Sequence, residues 1–318
     1  MTPGTTSVRT AGTVAGLVAA AGLAAFAWGA LVERNRFRVR NEIVPVLPPG
    51  SRPITVLHLS DLHMAPWQHD KQAWIARVAE LVEPDLVVAT GDLLGHAEGL
   101  RGVRAALAPL AGTPGVFVNG SNDYYGPMRK NWLGYLSGPS RSGGRPTTAL
   151  DTAALVSFLV DELGWLDLNN RARAIELRGT QLVLLGTDDP HIRRDRLEVV
   201  TALADELRET VDTDDDTVTI GVTHAPYRRI LDFLVNQGAE LVLAGHTHGG
   251  QVCVPGVGAL VTNCDLPREQ ASGLSTWRHL RRSAYLEVSA GLGTAITAPV
   301  RFACPPEAVV LTLVGRGV

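Results

Sequence analysis

The chain has 318 residues with a formal net charge of −3, 45% hydrophobic and 19% charged, which fits one large α/β domain or two small ones. A net charge of −3 carries no nucleic-acid signature. Cys253, Cys264 and Cys304 are too few and too widely spaced for a CxxC zinc site or a disulfide framework, and they read as buried thiols.

Ala11 to Val32 carries no charge, and about 20 apolar residues suffice for a helix to cross the hydrocarbon core. Residues 1–33 therefore read as an N-terminal membrane anchor, with a cleaved signal peptide as the competing reading. Arg34, Arg36, Arg38 and Arg40 crowd its far side against Arg9 before it, so the rest of the chain is expected on the cytoplasmic face of the cell membrane, held by a single span. Residues 34–53, with Pro45, Pro48, Pro49 and Pro53, read as a basic, stiff, extended linker, and residues 54–318 as the soluble folded domain.

The run Ile54–Ser60 is β-rich and ends in Asp61-Leu62-His63. A helix follows at about 71–83, with Trp74, Ile75, Val78, Leu81 and Val82 on one face. Leu86–Ala89 is a buried strand ending in Gly91-Asp92. After a helical stretch near 100–110, the strand Val116–Val118 runs into Asn119-Gly120-Ser121-Asn122-Asp123. Thr217–Thr223 leads into His224, and a helix to about Gln237 precedes the strand Leu241–Ala244, which ends in Gly245-His246-Thr247-His248-Gly249-Gly250. Flanking glycines permit backbone angles and close approaches that a Cβ would block.

Strands alternating with helices, with polar residues beyond the strands' carboxyl ends, are the pattern of an α/β sheet protein whose site lies in the crevice there. Asp61, His63, Asp92, His224, His246 and His248 are six metal-competent side chains placed just after apolar runs. Mixed His and Asp donors without thiolate suit Mn, Fe, Zn or Co. A zinc peptidase is disfavoured because no HExxH helix is present.

The ordered set Asp61/His63, Gly91-Asp92, Gly120–Asp123, His224 and Gly245–His248 resembles the calcineurin-like metallophosphoesterases over about residues 54–314. Gly245–Gln251, Gly291-Leu292-Gly293 and Pro299–Phe302 resemble the membrane-associated bacterial branch that includes a UDP-2,3-diacylglucosamine pyrophosphatase. The resemblance implies a four-layer α/β/β/α sandwich holding two divalent metal ions. Asp61, His63 and His248 would hold the first, His224 and His246 the second, and Asp92 would bridge them, since two cations about 3.5–4 Å apart need a shared anionic ligand. It also implies attack of a metal-bridging hydroxide on a phosphoester or pyrophosphate bond of a small-molecule or lipid-linked substrate.

One motif departs from the family, which usually reads Gly-Asn-His-Asp or Gly-Asn-His-Glu where this chain has Gly120-Ser121-Asn122-Asp123. Without a gap, Ser121 replaces the asparagine ligand and Asn122 the histidine; a one-residue slip puts Asn122 on the metal. Asn122 is thus a candidate for both a catalytic and a metal-binding role. Asparagine can donate a hydrogen bond to phosphate oxygen but cannot protonate a leaving group at neutral pH. Good leaving groups are therefore expected to be favoured. The same departure motivates a second reading, a metal- and phosphate-binding protein that has lost efficient catalysis.

His58 reads as a packed core histidine, and His69, His96 and His279 as surface residues. His191, after Asp188-Asp189-Pro190, reads as a turn residue, with a place in the site as the weaker alternative. The acidic run 212–216 reads as a solvated turn. The segment 126–150, with Arg129, Lys130, Arg141 and Arg145, reads either as a mobile basic substrate flap for phosphate or an anionic head group or as plain disorder.

Overall fold

The computed structural model describes residues 5–126, 148–210, 217–294 and 298–317, with side chains from Gly16 onward. The flap expectation for 126–150 and the acidic run 212–216 fall outside these residues almost entirely. The chain opens with α1 (Thr5–Ala27), extended by a wider turn to Val32, which exposes Leu17, Val18, Leu23, Phe26 and Leu31.

Two six-stranded sheets follow. The first contains β1 (Arg38–Leu47), β2 (Ile54–Leu59), β3 (Leu86–Ala89), β4 (Gly115–Phe117), β5 (Leu166–Asp167) and β14 (Glu307–Gly315), in the order β1-β14-β2-β3-β4-β5. The second contains β6 (Arg171–Leu177), β7 (Thr180–Gly186), β8 (Thr217–Val222), β9 (Leu241–Ala244), β12 (Gly273–His279) and β13 (Arg282–Val288), in the order β12-β13-β9-β8-β7-β6. A short hairpin of β10 (Cys253–Val254) and β11 (Gly258–Ala259) stands apart.

The central strands are apolar on both faces because both faces are covered, the usual condition of parallel strands. Ile54, Val56, Leu86 and Val88 meet Leu182, Leu184, Ile220 and Leu243 between the two sheets. The alternate residues Leu57, Val87, Ala89 and Phe117 pack on α2 (His69–Val82), α3 (Gly99–Leu107) and, beyond the one-turn α4 (Ser121–Tyr124), α5 (Thr152–Ser157) through Ile75, Val103 and Leu155. Across the second sheet, Val183, Val242 and Leu286 pack on α6 (Leu197–Thr210) and α7 (Arg228–Asn236) through Val200, Ala204 and Leu231.

The register positions the site. Leu59 lies beside Ala89, and Ala89 beside Phe117, all parallel, so the residues that follow β2, β3 and β4 emerge at one edge. Val222 lies beside Leu243 in the same sense, which brings the segments after β8 and β9 together.

The linker expected at 34–53 is corrected: residues 38–47 form the edge strand β1, parallel to β14 over Arg38–Leu47. Proline lacks an N–H and is tolerated at a sheet edge, and the register shifts just after Pro45. Val44, Val46 and Leu47 are fully or almost fully buried between the sheets. Arg40 lies in the same interlayer space, with Nη1 3.0 Å from Glu287 and Nη2 3.0 Å from Glu307, while Arg38 pairs with Glu307 at 2.7 Å. Two of the four arginines assigned to the membrane flank are therefore held in ion pairs that close the space between the sheets.

If β1 is part of the core, Leu47→Ala should destabilise the protein by about 2–5 kcal/mol, measured from urea denaturation midpoints. A change within about 0.5 kcal/mol, as expected for an exposed connector, would contradict this.

Candidate metal centre

The six sequence-predicted Asp and His donors, Asp61, His63, Asp92, His224, His246 and His248, lie on the turns immediately after central strands and are all buried. Asp61, His63, Asp92, His246 and His248 have positive φ, between 40° and 68°. Such angles cost of order 1–3 kcal/mol each for a residue with a side chain and persist only where the surroundings impose them. Here backbone bonds do so: Asp61 N–H donates to Gly91 O, His63 N–H to Asp92 O, and Gly245 N–H to His224 O. At Gly245 the need for glycine is steric, because a Cβ would overlap the Ser60 hydroxyl and the Asp61 carboxylate. Gly120 is confined in the same way by Asp92 and His224.

Two donor groups result, Asp61/His63/His248 and Asp61/Asp92/His224, each with ligand atoms within 4.8 Å of one another. His63 Nε2 and His248 Nε2 face each other at 3.1 Å, and His248 Nε2 lies 3.5 Å from Asp61 Oδ1. Asp92 Oδ2 lies 3.5 Å from His63 Nε2 and 3.6 Å from His224 Nε2, midway between the groups. His246 Nδ1 faces His224 Nε2 at 3.2 Å. His224 Nδ1 donates to Thr90 O at 2.7 Å and His248 Nδ1 to Gly293 O at 3.2 Å. Carbonyls only accept, so in its neutral form each of these rings turns an Nε2 lone pair into the crevice. Asp61 Oδ1 is buried without a hydrogen-bond partner among the described residues, which is costly for a carboxylate unless a cation meets it. Facing lone pairs and an orphaned carboxylate oxygen fit a divalent cation.

The electrostatics agree. Burial raises the Asp61 carboxyl above the usual carboxylate range. Burial, helped by His248, holds His63 well below the usual imidazole range; burial, helped by Arg301, takes His248 down to about 3; and burial, helped by His191, lowers His246. These three rings stay neutral and keep their lone pairs. At His224 burial opposes protonation, but Asp92, Asp189 and Asp61 outweigh it and raise the ring to about 9. The protein alone thus favours a positive charge at this point.

Asn122 is brought onto the central carboxylate: its N–H donates to Asp92 Oδ1 and its Nδ2 to Asp92 Oδ2, both at 2.7 Å. The Ser121 hydroxyl makes no hydrogen bond among the described residues. His191 lies in a turn and also reaches the centre, its ring 4.5 Å from that of His246 and its Nδ1 2.9 Å from the Tyr227 hydroxyl. His58 is buried, as expected of a core histidine, while His69 is exposed and His279 half-buried against Asp232. His96 is half-buried against Trp67. All three cysteines are buried free thiols.

Three contributors were not predicted. Ser60 Oγ donates to Asp61 Oδ2 at 2.5 Å, accepts from Thr90 Oγ1 at 2.7 Å, and Thr90 in turn meets His58 Nε2 at 2.9 Å. Asp189 is buried with Oδ2 unpartnered among the described residues. Its only sequence signal is the polar turn after β7. Arg301, fully buried, gives Nη2 to the carbonyls of Ala290 (2.6 Å), Gly291 (3.0 Å) and Gly293 (2.6 Å), beneath His248.

An α/β protein with a buried His/Asp centre at its strand ends is a metal-binding protein by construction. The profile of the calcineurin-like phosphoesterases matches residues 54–250. An uncharacterized metallophosphoesterase of Aquifex aeolicus is 30% identical over 85% of this chain and 88% of its own length. The chain belongs to the calcineurin-like phosphoesterase family and is a metal-dependent phosphoesterase. A Bos taurus transmembrane protein with a metallophosphoesterase domain is 28% identical over 69% of this chain and 46% of its own length, so the chain spans less than half of that relative. A dimetal phosphatase of Danio rerio covers 78% of this chain and 88% of its own, at 13% identity and a TM-score of 0.40.

Removing the Ser60 hydroxyl frees the Asp61 carboxylate it orients, so Ser60→Ala should weaken Mn²⁺ binding about 10- to 100-fold by calorimetric titration; unchanged affinity would contradict this. Burial, with Arg40, holds His58 down at about 3 in the folded chain against an ordinary 6.5. The associated stability is complete above pH 6.5 and is lost as pH falls toward 3, because only the unfolded chain takes up the proton. In metal-free protein the denaturation midpoint should fall less over that window in His58→Gln than in the wild type. Equal slopes would contradict this.

Proposed function

We propose that the protein is a membrane-tethered phosphohydrolase built on a four-layer α/β/β/α sandwich and working with two divalent cations. Asp61, His63 and His248 would hold one, His224 and His246 the other, and Asp92 both. The observation that carries the reading is the convergence of two carboxylates and four imidazoles on one buried crevice in which Asp61 Oδ1 has no hydrogen-bond partner among the described residues. The three packing interfaces, helices on sheet, sheet on sheet and sheet on helices, support the layered architecture.

When bound, such cations supply acidification of a water molecule and compensation of charge at phosphorus. The protein's own contribution is positional. The Asn122 amide and backbone N–H hold the Asp92 carboxylate from one side, leaving its Oδ2 toward His63 and His224. Thr90 and Gly293 carbonyls fix the His224 and His248 rings. An amide at 122 offers no proton to a departing oxygen, which favours anhydrides and aryl esters over alkyl monoesters.

The exposed apolar side chains of α1 and the transmembrane relative support membrane attachment. With Arg38 and Arg40 engaged by glutamates, the cytoplasmic orientation rests on Arg34 and Arg36 against Arg9. Tethering brings lipid-linked phosphates within reach, in keeping with the likeness to the diacylglucosamine pyrophosphatase branch. The alternative of a binding protein with lost catalysis is favoured only by Ser121 and Asn122.

Purified full-length protein with Mn²⁺ should hydrolyse bis(p-nitrophenyl) phosphate, and Asp92→Asn should reduce the rate at least about 100-fold, the scale of lost metal-ion stabilisation. Alkyl phosphomonoesters should react more slowly than aryl or pyrophosphate-linked substrates. Mn²⁺ binding without turnover of any of them would favour the binding protein instead.

A further inference from the structure

A cavity of about 510 Å³ lies between the foot of the apolar helix and the metal centre. Arg34, immediately after that helix, and Lys71, from the first turn of α2, line it together with Phe37, Trp67, Asp70 and Gly293. Lys71 is only 6% exposed, and its one hydrogen bond among the described residues is to Leu62 O at 2.6 Å. Arg34 makes no ion pair or hydrogen bond among the described residues, and its Nε is buried. Burial pushes the Lys71 ammonium down to about 7, and the two other groups responsible are the cations Arg301 and Arg34. Asp70 stands on the exposed rim. Setting the buried Lys71 beside Arg301 and the half-buried Arg34, with the one lining carboxylate out on the rim, is costly unless an anion completes the set.

The remaining lining is amphipathic in the way a membrane surface requires. Trp67 is 58% exposed, Phe37 packs on Trp74 with ring centroids 5.4 Å apart, and the exposed Leu31 and Val32 close the helix just above Arg34. Aromatic rings and basic side chains at the end of an apolar span belong at head-group level. The Gly293 wall is shared with the metal centre: its N–H donates to Asp61 O, and its carbonyl accepts from His248 Nδ1 and Arg301.

We propose that this cavity binds the phosphorylated head group of a membrane lipid, with Arg34 and Lys71 on the phosphate and the acyl chains leaving along Trp67 and the exposed face of the helix. The proposal rests on the membrane-tethered reading above and extends it by giving the tether a lipid seat next to the metal centre. A free phosphate would meet the same two cations but would make no use of the apolar lip.

The test uses the full-length chain in phosphatidylcholine nanodiscs with and without phosphatidic acid, with retained lipid read by native mass spectrometry. The wild type should retain phosphatidic acid over phosphatidylcholine by at least about tenfold, the size of one charge-assisted contact. Arg34→Gln and Lys71→Met should each abolish that preference, and Arg34→Gln, being peripheral, should leave the melting temperature and aryl phosphodiester hydrolysis unchanged. Equal retention of the two lipids, or an undiminished preference in Arg34→Gln, would overturn the proposal. Inorganic phosphate that displaces phosphatidic acid at comparable concentration would overturn the lipid as the source of the anion. If the chain washes free of membranes while still hydrolysing the ester, the tether is wrong and the lipid seat falls with it. If it stays in the membrane with the predicted lipid preference but hydrolyses nothing, only the catalytic reading fails.

Discussion

Two carboxylates and four imidazoles share one buried crevice, and the positive charge they jointly demand is the constraint that organises the rest of the structure. Asp61 and Asp92 cannot both be buried as anions at low cost unless something cationic lies between them. In the protein alone part of that demand falls on His224, which the surrounding carboxylates raise to about 9 while the other three rings of the centre remain neutral. A divalent cation satisfies the same field without a proton and meets the facing lone pairs of His63 and His248 as well.

Holding such an arrangement costs backbone strain, which the sheets absorb. Donors from both sheets meet because β2, β3 and β4 end at one edge and β8 and β9 bring their following turns alongside. The positive φ angles of five donors turn their side chains inward, and the absent Cβ of Gly245 lets the two sheets' turns touch. Below His248 the buried guanidinium of Arg301 gathers the 290–293 carbonyls. The same segment reaches the N-terminal helix, as Arg301 N–H donates to Gly29 O and Cys304 N–H to Glu33 Oε1 at 2.7 Å. The apolar helix is thus seated on the wall of the centre through hydrogen bonds, not hung from a free linker.

Much of this was legible in the sequence because the relevant forces are local. β3 and β9 are buried on both faces and read as unbroken apolar runs, β2 and β8 read as β-rich runs, and the donors directly follow them, so Asp61, His63, Asp92, His224, His246 and His248 stood out together. β1 was not legible: Arg38, Arg40, Glu42 and Pro45 resemble a solvated connector until Glu287 and Glu307, more than 200 residues away, supply their partners. Arg301 was noticed only as part of a motif, because its carbonyl partners are set by the tertiary fold. Asp189 and the Ser60–Thr90–His58 chain were missed because a lone polar residue in a strand or turn carries no period of its own. The two alignments of Ser121 and Asn122 differ by a one-residue shift that carries no local signal; in the fold the Asn122 amide donates to Asp92.

The central claim, that these six side chains form one cation-binding unit, is tested most directly by metal stoichiometry. Chelator-stripped protein titrated with Mn²⁺, and read by calorimetry together with elemental analysis of the isolated complex, should bind two ions per chain. Asp61→Asn should lose them without unfolding. Tight binding of no ion, or of two ions unaffected by that substitution, would contradict the account.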